Sequence, residues 1–183
     1  CRYRARVCVK GCLKLLLIYF HLPHLLYYAM LTCGGCYKKA YTMKKYLVLS
    51  DSHGSVGSTV QAIRLHGDAD GIIFLGDGKS DIEYARGIFT DKQFFCVRGN
   101  CDGECYPELY DFTSEGVKIL CMHGHTHSVK SGDAGLFSAA KGYDVILHGH
   151  THVQREISLD CGGRLVQIMN PGAAAGGYFG ILR

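Results

Sequence analysis

YLVLSDSHGSVGSTVQAIRLHGDADGIIFLGD, running from Tyr46 to Asp77, is the stretch that decides the fold. Tyr46-Leu-Val-Leu49 is a short, wholly apolar run that stops at Asp51 and reads as a buried strand. Ser58–Leu65 has the spacing of an amphipathic helix, with Val60, Ile63 and Leu65 expected to face inward. Gly71-Ile-Ile-Phe-Leu75 is a second apolar run, halted by Gly76-Asp77. Strand, helix and strand in thirty-two residues make a βαβ unit, so the chain is expected to be α/β with parallel strands.

Working downstream, the alternation continues: a helix near Ile82–Ile88, strands at Gln93–Val97 and Val117–Met122, a helix near Ala134–Lys141, and a strand at Asp144–Leu147. Val153–Leu159 and Arg164–Met169 flank Asp160-Cys-Gly-Gly163 and predict an antiparallel hairpin with a glycine turn. Tyr178–Leu182 reads as a last strand. There is no internal repeat beyond two His-rich clusters, His123–His127 and His148–His152, whose sequences then diverge.

Working upstream, residues 1–42 read differently. They begin at Cys1 and mix Cys, Tyr, Leu and Arg irregularly. The apolar run Leu15–Phe20 is too short for an export-signal core, and His21, Pro23 and His24 interrupt the residues after it, so no membrane anchor is expected. We expect Met43 to be the natural start and 1–42 to be a non-native or disordered extension. Residues 43–183 are then one domain, its hydrophobic share enough for a core; the chain's overall 48% fits that.

Residues 1–45 hold nine basic and no acidic side chains, leaving eleven basic against sixteen acidic in the remainder. The formal charge of +4 therefore belongs to the N-terminal segment, and the body carries about −5, which argues against a strong nucleic-acid patch. Five of the ten cysteines precede Met43. Cys96 and Cys121 lie in apolar runs, where a thiol behaves as a small hydrophobe, so a reduced, cytoplasmic protein is expected. Cys33-Gly-Gly-Cys36 has metal-pair spacing but no second pair or histidines in register, and is read as non-functional.

Each apolar run closes on a polar cluster: Asp51-Ser52-His53-Gly54, Gly76-Asp77, Gly99-Asn100-Cys101-Asp102, His123-Gly124-His125 and Gly149-His150-Thr151-His152. In an open α/β sheet, groups at the carboxyl ends of strands meet in space, so these clusters are expected to converge. Asp, Asn and His are the donors a pair of divalent cations requires. If strand alternation continues through Asp51-x-His53, carboxylate and imidazole point the same way, toward one cation. A carboxylate at Asp77 has lone pairs enough to bridge two. Walker-type phosphate loops and Gly-x-Ser-x-Gly elbows are absent.

Taken together, Asp51-x-His53, Gly76-Asp77, Gly99-Asn100-x-Asp102, His123 in Met-His-Gly-His and Gly149-His150-x-His152 resemble the signature of the calcineurin-like metallophosphoesterases. With Cys101 inside the third motif and a short chain, the closest likeness is to the small YfcE-type phosphodiesterase branch. It covers Met43 to about Leu182; the family usually continues further, so a clipped C-terminus is expected. The resemblance implies a four-layer αββα sandwich of mixed sheets with the metal site at the strand ends. It implies that Asp51, His53 and His152 hold one metal, Asp77 bridges, and Asn100, His123 and His150 hold the second. A hydroxide shared by the cations would attack phosphorus.

Nitrogen and carboxylate donors suit manganese, nickel, iron or zinc better than calcium, and manganese is our expectation. Cys101 stands where many relatives carry a proton-donating histidine. Because a thiol is the poorer acid near neutrality, Asp102, His125 or water is the alternative donor, and Asn100 can also donate to phosphate. His125 and His127 adjoin a ligand candidate, with a supporting or substrate-facing role as the lesser alternative to a plain structural one; His148 is read as supporting, His66 as a surface residue, and Arg98 as a phosphate contact or a surface ion pair. Asn170-Pro171-Gly172 is read as a structural turn. The expected substrate is a small phosphodiester, with oligomeric state open. The alternative is a non-catalytic protein-binding scaffold like the retromer subunit of this fold, disfavoured because every expected ligand is present.

Overall fold

The period-two alternation of the strands sorts the apolar residues into three separate cores, and those cores define the layers. The computed structural model describes residues 43–104 and 106–183. Among these described residues nine strands form two sheets: β1 (Tyr46–Leu49), β2 (Gly71–Phe74), β3 (Gln93–Cys96), β4 (Leu109–Ser114), β5 (Val117–Met122), β6 (Val145–Leu147), β7 (Arg155–Asp160), β8 (Leu165–Asn170) and β9 (Gly180–Leu182). Three α-helices lie between them: α1 (Val56–Leu65), α2 (Lys79–Ile88) and α3 (Ala134–Ala139). One sheet runs β3-β2-β1-β9, parallel except for β9; the other runs β4-β5-β6-β8-β7, parallel at its centre with antiparallel edges.

Successive strand residues point to opposite faces. Leu47 and Leu49 of β1, with Ile72 and Phe74 of β2, therefore turn toward Val60, Ala62, Ile63, Ile82 and Ala85 of α1 and α2. Their neighbours Tyr46, Val48, Ile73 and Leu75 turn the other way and meet Ile119, Cys121, Val145 and Leu147 of the second sheet. On that sheet's far face Leu120, Met122, Ile146, Val166 and Ile168 pack against Leu136 of α3, Ala140 and Val129. Helices, sheet, sheet and helix make the four-layer αββα arrangement, with each fully buried Leu or Ile contributing about 1.5–3 kcal/mol.

Four local features depart from the sequence expectations. Leu65 is 67% exposed, because Thr59, Val60, Ala62 and Ile63 complete the buried face of α1 and Leu65 falls on the opposite side. The α2 helix starts at Lys79, three residues before the first apolar position, for a reason that lies in a carboxylate far along the chain. Strand β4 carries no apolar run to mark it in the sequence; it pairs with β5 across Glu115-Gly116, both at positive φ, as a two-residue hairpin turn requires. His66, expected at the surface, is half-buried with its ring against Phe179 at 4.6 Å. The expectations for residues 1–42, Cys33-Gly-Gly-Cys36 included, lie outside the described residues. No helix among the described residues is long and apolar enough to cross a membrane.

Candidate metal centre

Strands β1, β2, β3, β5 and β6 all send their carboxyl ends to the same edge, and all five polar clusters come directly after them. The loops that turn there are built tightly. Of seven non-glycine residues with positive φ among the described residues, five are Asp51 (55°), His53 (42°), Asp77 (59°), His150 (68°) and His152 (60°). Such conformations are uncommon outside glycine and cost on the order of 1–3 kcal/mol each unless the surroundings enforce them. Asp51 and His53 thus converge through a left-handed loop, not through strand alternation.

The enforcing contacts are long-range. Asp51 Oδ2 accepts from Ser50 Oγ at 2.6 Å and from the His150 backbone N–H at 3.0 Å, tying together loops ninety-nine residues apart. Asn170, in the expected structural turn, donates to the Gly149 carbonyl at 2.9 Å and to Thr151 Oγ1 at 3.0 Å, and its Oδ1 accepts from Gly172 N. Ala174 N donates to the Ser50 carbonyl at 2.7 Å.

Asp102 is a brace. Its carboxylate accepts four backbone N–H groups, from Asp77 (2.7 Å), Gly99 (2.9 Å), Lys79 (2.8 Å) and Gly78 (3.0 Å), so it both caps α2 and fixes the loops carrying Asp77 and Asn100. Burial alone would raise its pKa, but the donors at Gly99, Lys79, Gly78 and Asp77 together hold it below the ordinary carboxylate value. A carboxylate so held is a poor proton donor at neutral pH.

Within this frame the donor atoms meet. Around Asp51 Oδ1 stand His152 Nε2 at 3.2 Å, His53 Nε2 at 3.9 Å and His123 Nε2 at 3.9 Å. Around Asp77 Oδ2 stand His123 Nε2 at 3.3 Å and His53 Nε2 at 3.9 Å. His53 Nε2 and His152 Nε2 are 3.2 Å apart, and His150 Nδ1 and His123 Nε2 are 3.1 Å apart. Two groups of three result, Asp51-His53-His152 and Asp77-His123-His150, the ligand atoms of each within 4.8 Å of one another. Asp77 lies against both, because its Oδ2 faces His53 as well as His123. Asn100 is exposed on the loop after β3 and donates from Nδ2 to Cys101 Sγ at 3.3 Å.

The donors fit a pair of divalent cations. Asp51 Oδ1 is buried without a hydrogen-bond partner, although its twin oxygen has two. A buried carboxylate oxygen left unpaired is expensive unless something positive belongs beside it. His123 Nδ1 donates to the Leu75 carbonyl at 2.7 Å, which directs the lone pair of Nε2 toward the carboxylates. Burial first, and His123 second, hold His150 below the usual imidazole range, leaving it neutral as a ligand must be.

The remaining candidates take supporting places. His148 is buried, its Nδ1 within 3.1 Å of the Gly149 carbonyl, and burial lowers its pKa. His125 packs its ring 5.5 Å from that of His123, centre to centre. Arg98 pairs with Glu108 at 2.5 Å. Sequence reasoning missed one donor: Cys101 Sγ falls in a third group with His53 and Asp77. Its position inside the Gly99–Asp102 motif was the available signal.

A family model for the calcineurin-like phosphoesterase superfamily domain matches residues 44–181. A probable metallophosphoesterase of Mycoplasma pneumoniae is 33% identical over 138 residues, covering 72% of this chain and 79% of its own. Among solved structures, an archaeal phosphodiesterase gives a TM-score of 0.61 at 24% identity, over 76% of this chain and 93% of that one. The phosphoesterase YfcE of E. coli gives 0.57 at 22% identity over 76% and 88%. Wild-type Vps29 of Entamoeba histolytica complexed with zinc gives 0.59 at 22% identity over 72% and 76%. At these identities the structural likeness is one of fold.

Proposed function

The chain belongs to the calcineurin-like phosphoesterase superfamily, and from that premise we propose that it hydrolyses a small phosphodiester with the help of two divalent cations. Asp51, His53 and His152 would hold one cation, Asn100, His123 and His150 the other, with Asp77 between them. When bound, such a pair supplies an activated water and neutralises the charge that builds on the phosphoryl oxygens. The observation that carries this reading is the buried, unpartnered Asp51 Oδ1 at the centre of three imidazole nitrogens. Manganese is our choice of metal, on donor chemistry alone.

The chain's own residues divide the remaining work. Leu75, through its carbonyl, holds the His123 ring in one tautomer, and Asp102 keeps Asp77 and Asn100 in register. Asn100, exposed beside the metals' ligands, offers its amide to a phosphoryl oxygen. Proton delivery to the leaving group is weakly provided. Asp102 is committed to four N–H groups, and desolvation, then the neighbouring Asp77 carboxylate, push the Cys101 thiol up. The enzyme should therefore favour esters whose leaving groups need little protonation. We read residues 43–183 as the catalytic domain and the protein as cytoplasmic.

A protein-binding scaffold is the second reading, favoured by the likeness in fold to Vps29, of which one solved form is a zinc complex. A full ligand set therefore does not by itself separate enzyme from scaffold, and turnover does. The test is hydrolysis of an aryl phosphodiester and an aryl phosphomonoester with manganese, nickel or zinc, and with chelator. Diesterase activity abolished by chelation is expected; activity indifferent to chelation refutes the mechanism, and no turnover with metals bound favours the scaffold.

A further inference from the structure

Cys101 brings a thiol to the open side of the centre. Its Sγ, His53 nitrogen and Asp77 oxygen all lie within 4.8 Å of one another, and Cys101 and His53 are both exposed while Asp77 is buried. Tetrahedral zinc, with Zn–S of about 2.3 Å and Zn–N of about 2.0 Å, sets ligand atoms roughly 3.5 Å apart, so this group closes on a cation by side-chain motion of about an ångström. The loop is already set for it: the Cys101 backbone N–H donates to Asp77 Oδ1 at 2.7 Å, which fixes the cysteine against that carboxylate. An independent observation points to a cation in the same space, since the buried, unpartnered Asp51 Oδ1 lies 3.9 Å from the same His53 Nε2.

We propose that His53, Asp77 and Cys101 form a conditional site for thiophilic cations, in which zinc or cadmium recruits the Cys101 sulfur while manganese leaves it free. This rests on the proposed two-metal reading and adds a metal-dependent restraint to it. Cys101 loses its thiol proton to solvent and its sulfur takes one coordination position, with no electron transferred. Softness decides the choice: thiolate selects zinc-like and softer ions, whereas manganese prefers carboxylate and imidazole. A sulfur drawn onto the cation from the exposed side occupies the approach a diester needs, so thiophilic cations bind tightly and turn over poorly.

The test uses the full chain with one or two equivalents of manganese, zinc or cadmium. Alkylation of Cys101 is followed by peptide mass spectrometry, which separates it from the other cysteines, and the ultraviolet charge-transfer band of cadmium–thiolate bonding is recorded beside it. Zinc and cadmium should slow Cys101 alkylation at least on the order of tenfold, with manganese changing it less than about twofold. Cys101→Ser should diminish the cadmium band by the share of one thiolate, the other cysteines of the full chain supplying any remainder, and weaken zinc binding at the centre on the order of ten- to a hundredfold, the range seen for groups that support a metal site. Equal alkylation with all three metals, or a band undiminished in Cys101→Ser, overturns the inference alone. A chain that takes up no cation at all overturns the two-metal reading with it.

Discussion

Replacing Gly99 by alanine should disable the centre while leaving every ligand residue in the sequence. Gly99 sits outside the left-handed region, so its backbone accepts an L side chain; the obstacle is space. A Cβ there would stand 2.0 Å from Asp77 Oδ1, 2.7 Å from its Cγ and 2.6 Å from its backbone N. Ordinary contact begins near 3.4 Å, so the carboxylate must retreat by about 1.4 Å. Rotation of the side chain cannot achieve this alone, because Asp77 N and Gly99 N are both held by Asp102 Oδ2, at 2.7 and 2.9 Å. Overpacking of this kind costs about 1–3 kcal/mol of stability, and misplacing a catalytic group by about an ångström costs on the order of a hundredfold in rate. Gly99→Ala is therefore expected to fold with a lowered denaturation midpoint, bind the second metal weakly, and lose at least about a hundredfold in kcat on an aryl diester. Calorimetric metal titration and steady-state kinetics check this. Full metal stoichiometry with kcat within about threefold of the parent would show that Asp77 does not depend on the space at Gly99.

Three other substitutions separate roles. Asp102→Asn puts an amide NH₂ where N–H donors converge, and should destabilise the fold by about 2–3 kcal/mol in chemical denaturation while lowering activity on aryl and alkyl diesters alike; loss confined to alkyl esters, with stability unchanged, would make Asp102 an acid after all. Because its folded pKa lies below its unfolded value, that stability is present above about pH 4 and fades as pH falls through the folded pKa, so the difference between parent and Asp102→Asn should shrink in acid. Cys101→Ala should keep much of the manganese-supported activity on an activated ester; near-complete loss with metals still bound would show the thiol to be essential. Gly87→Ala, in α2 where nothing lies within 4 Å of the added methyl, should stabilise by about 0.5–1 kcal/mol in the same denaturation assay, and a destabilised variant would contradict the placement of α2.

The range of the interactions decides which parts of the fold the sequence discloses and which it hides. Strands β1, β2 and β5 are apolar runs whose boundaries are set locally, and the polar clusters after them announce the strand ends. β4 is an edge strand with Leu109 and Tyr110 exposed, so it lacks an apolar run, and the Glu115-Gly116 turn was its only local mark. The start of α2 is set by Asp102, twenty-three residues beyond Lys79, and no local pattern carries such a cap. Asp102 itself looked reactive because acidic residues in a catalytic motif usually do; only its four N–H donors identify it as a brace. The left-handed conformations of Asp51, His53, Asp77, His150 and His152 were equally hidden, since none is glycine and the contacts enforcing them cross the chain.

The proposed chemistry requires two cations side by side at the strand ends. Its most direct measurement is the anomalous difference map of crystals grown with manganese. Two peaks are expected roughly 3.5–4 Å apart, one against Asp51, His53 and His152, the other against Asn100, His123 and His150, with Asp77 touching both. A single peak, or a pair that leaves Asp77 bound to only one of them, would contradict it.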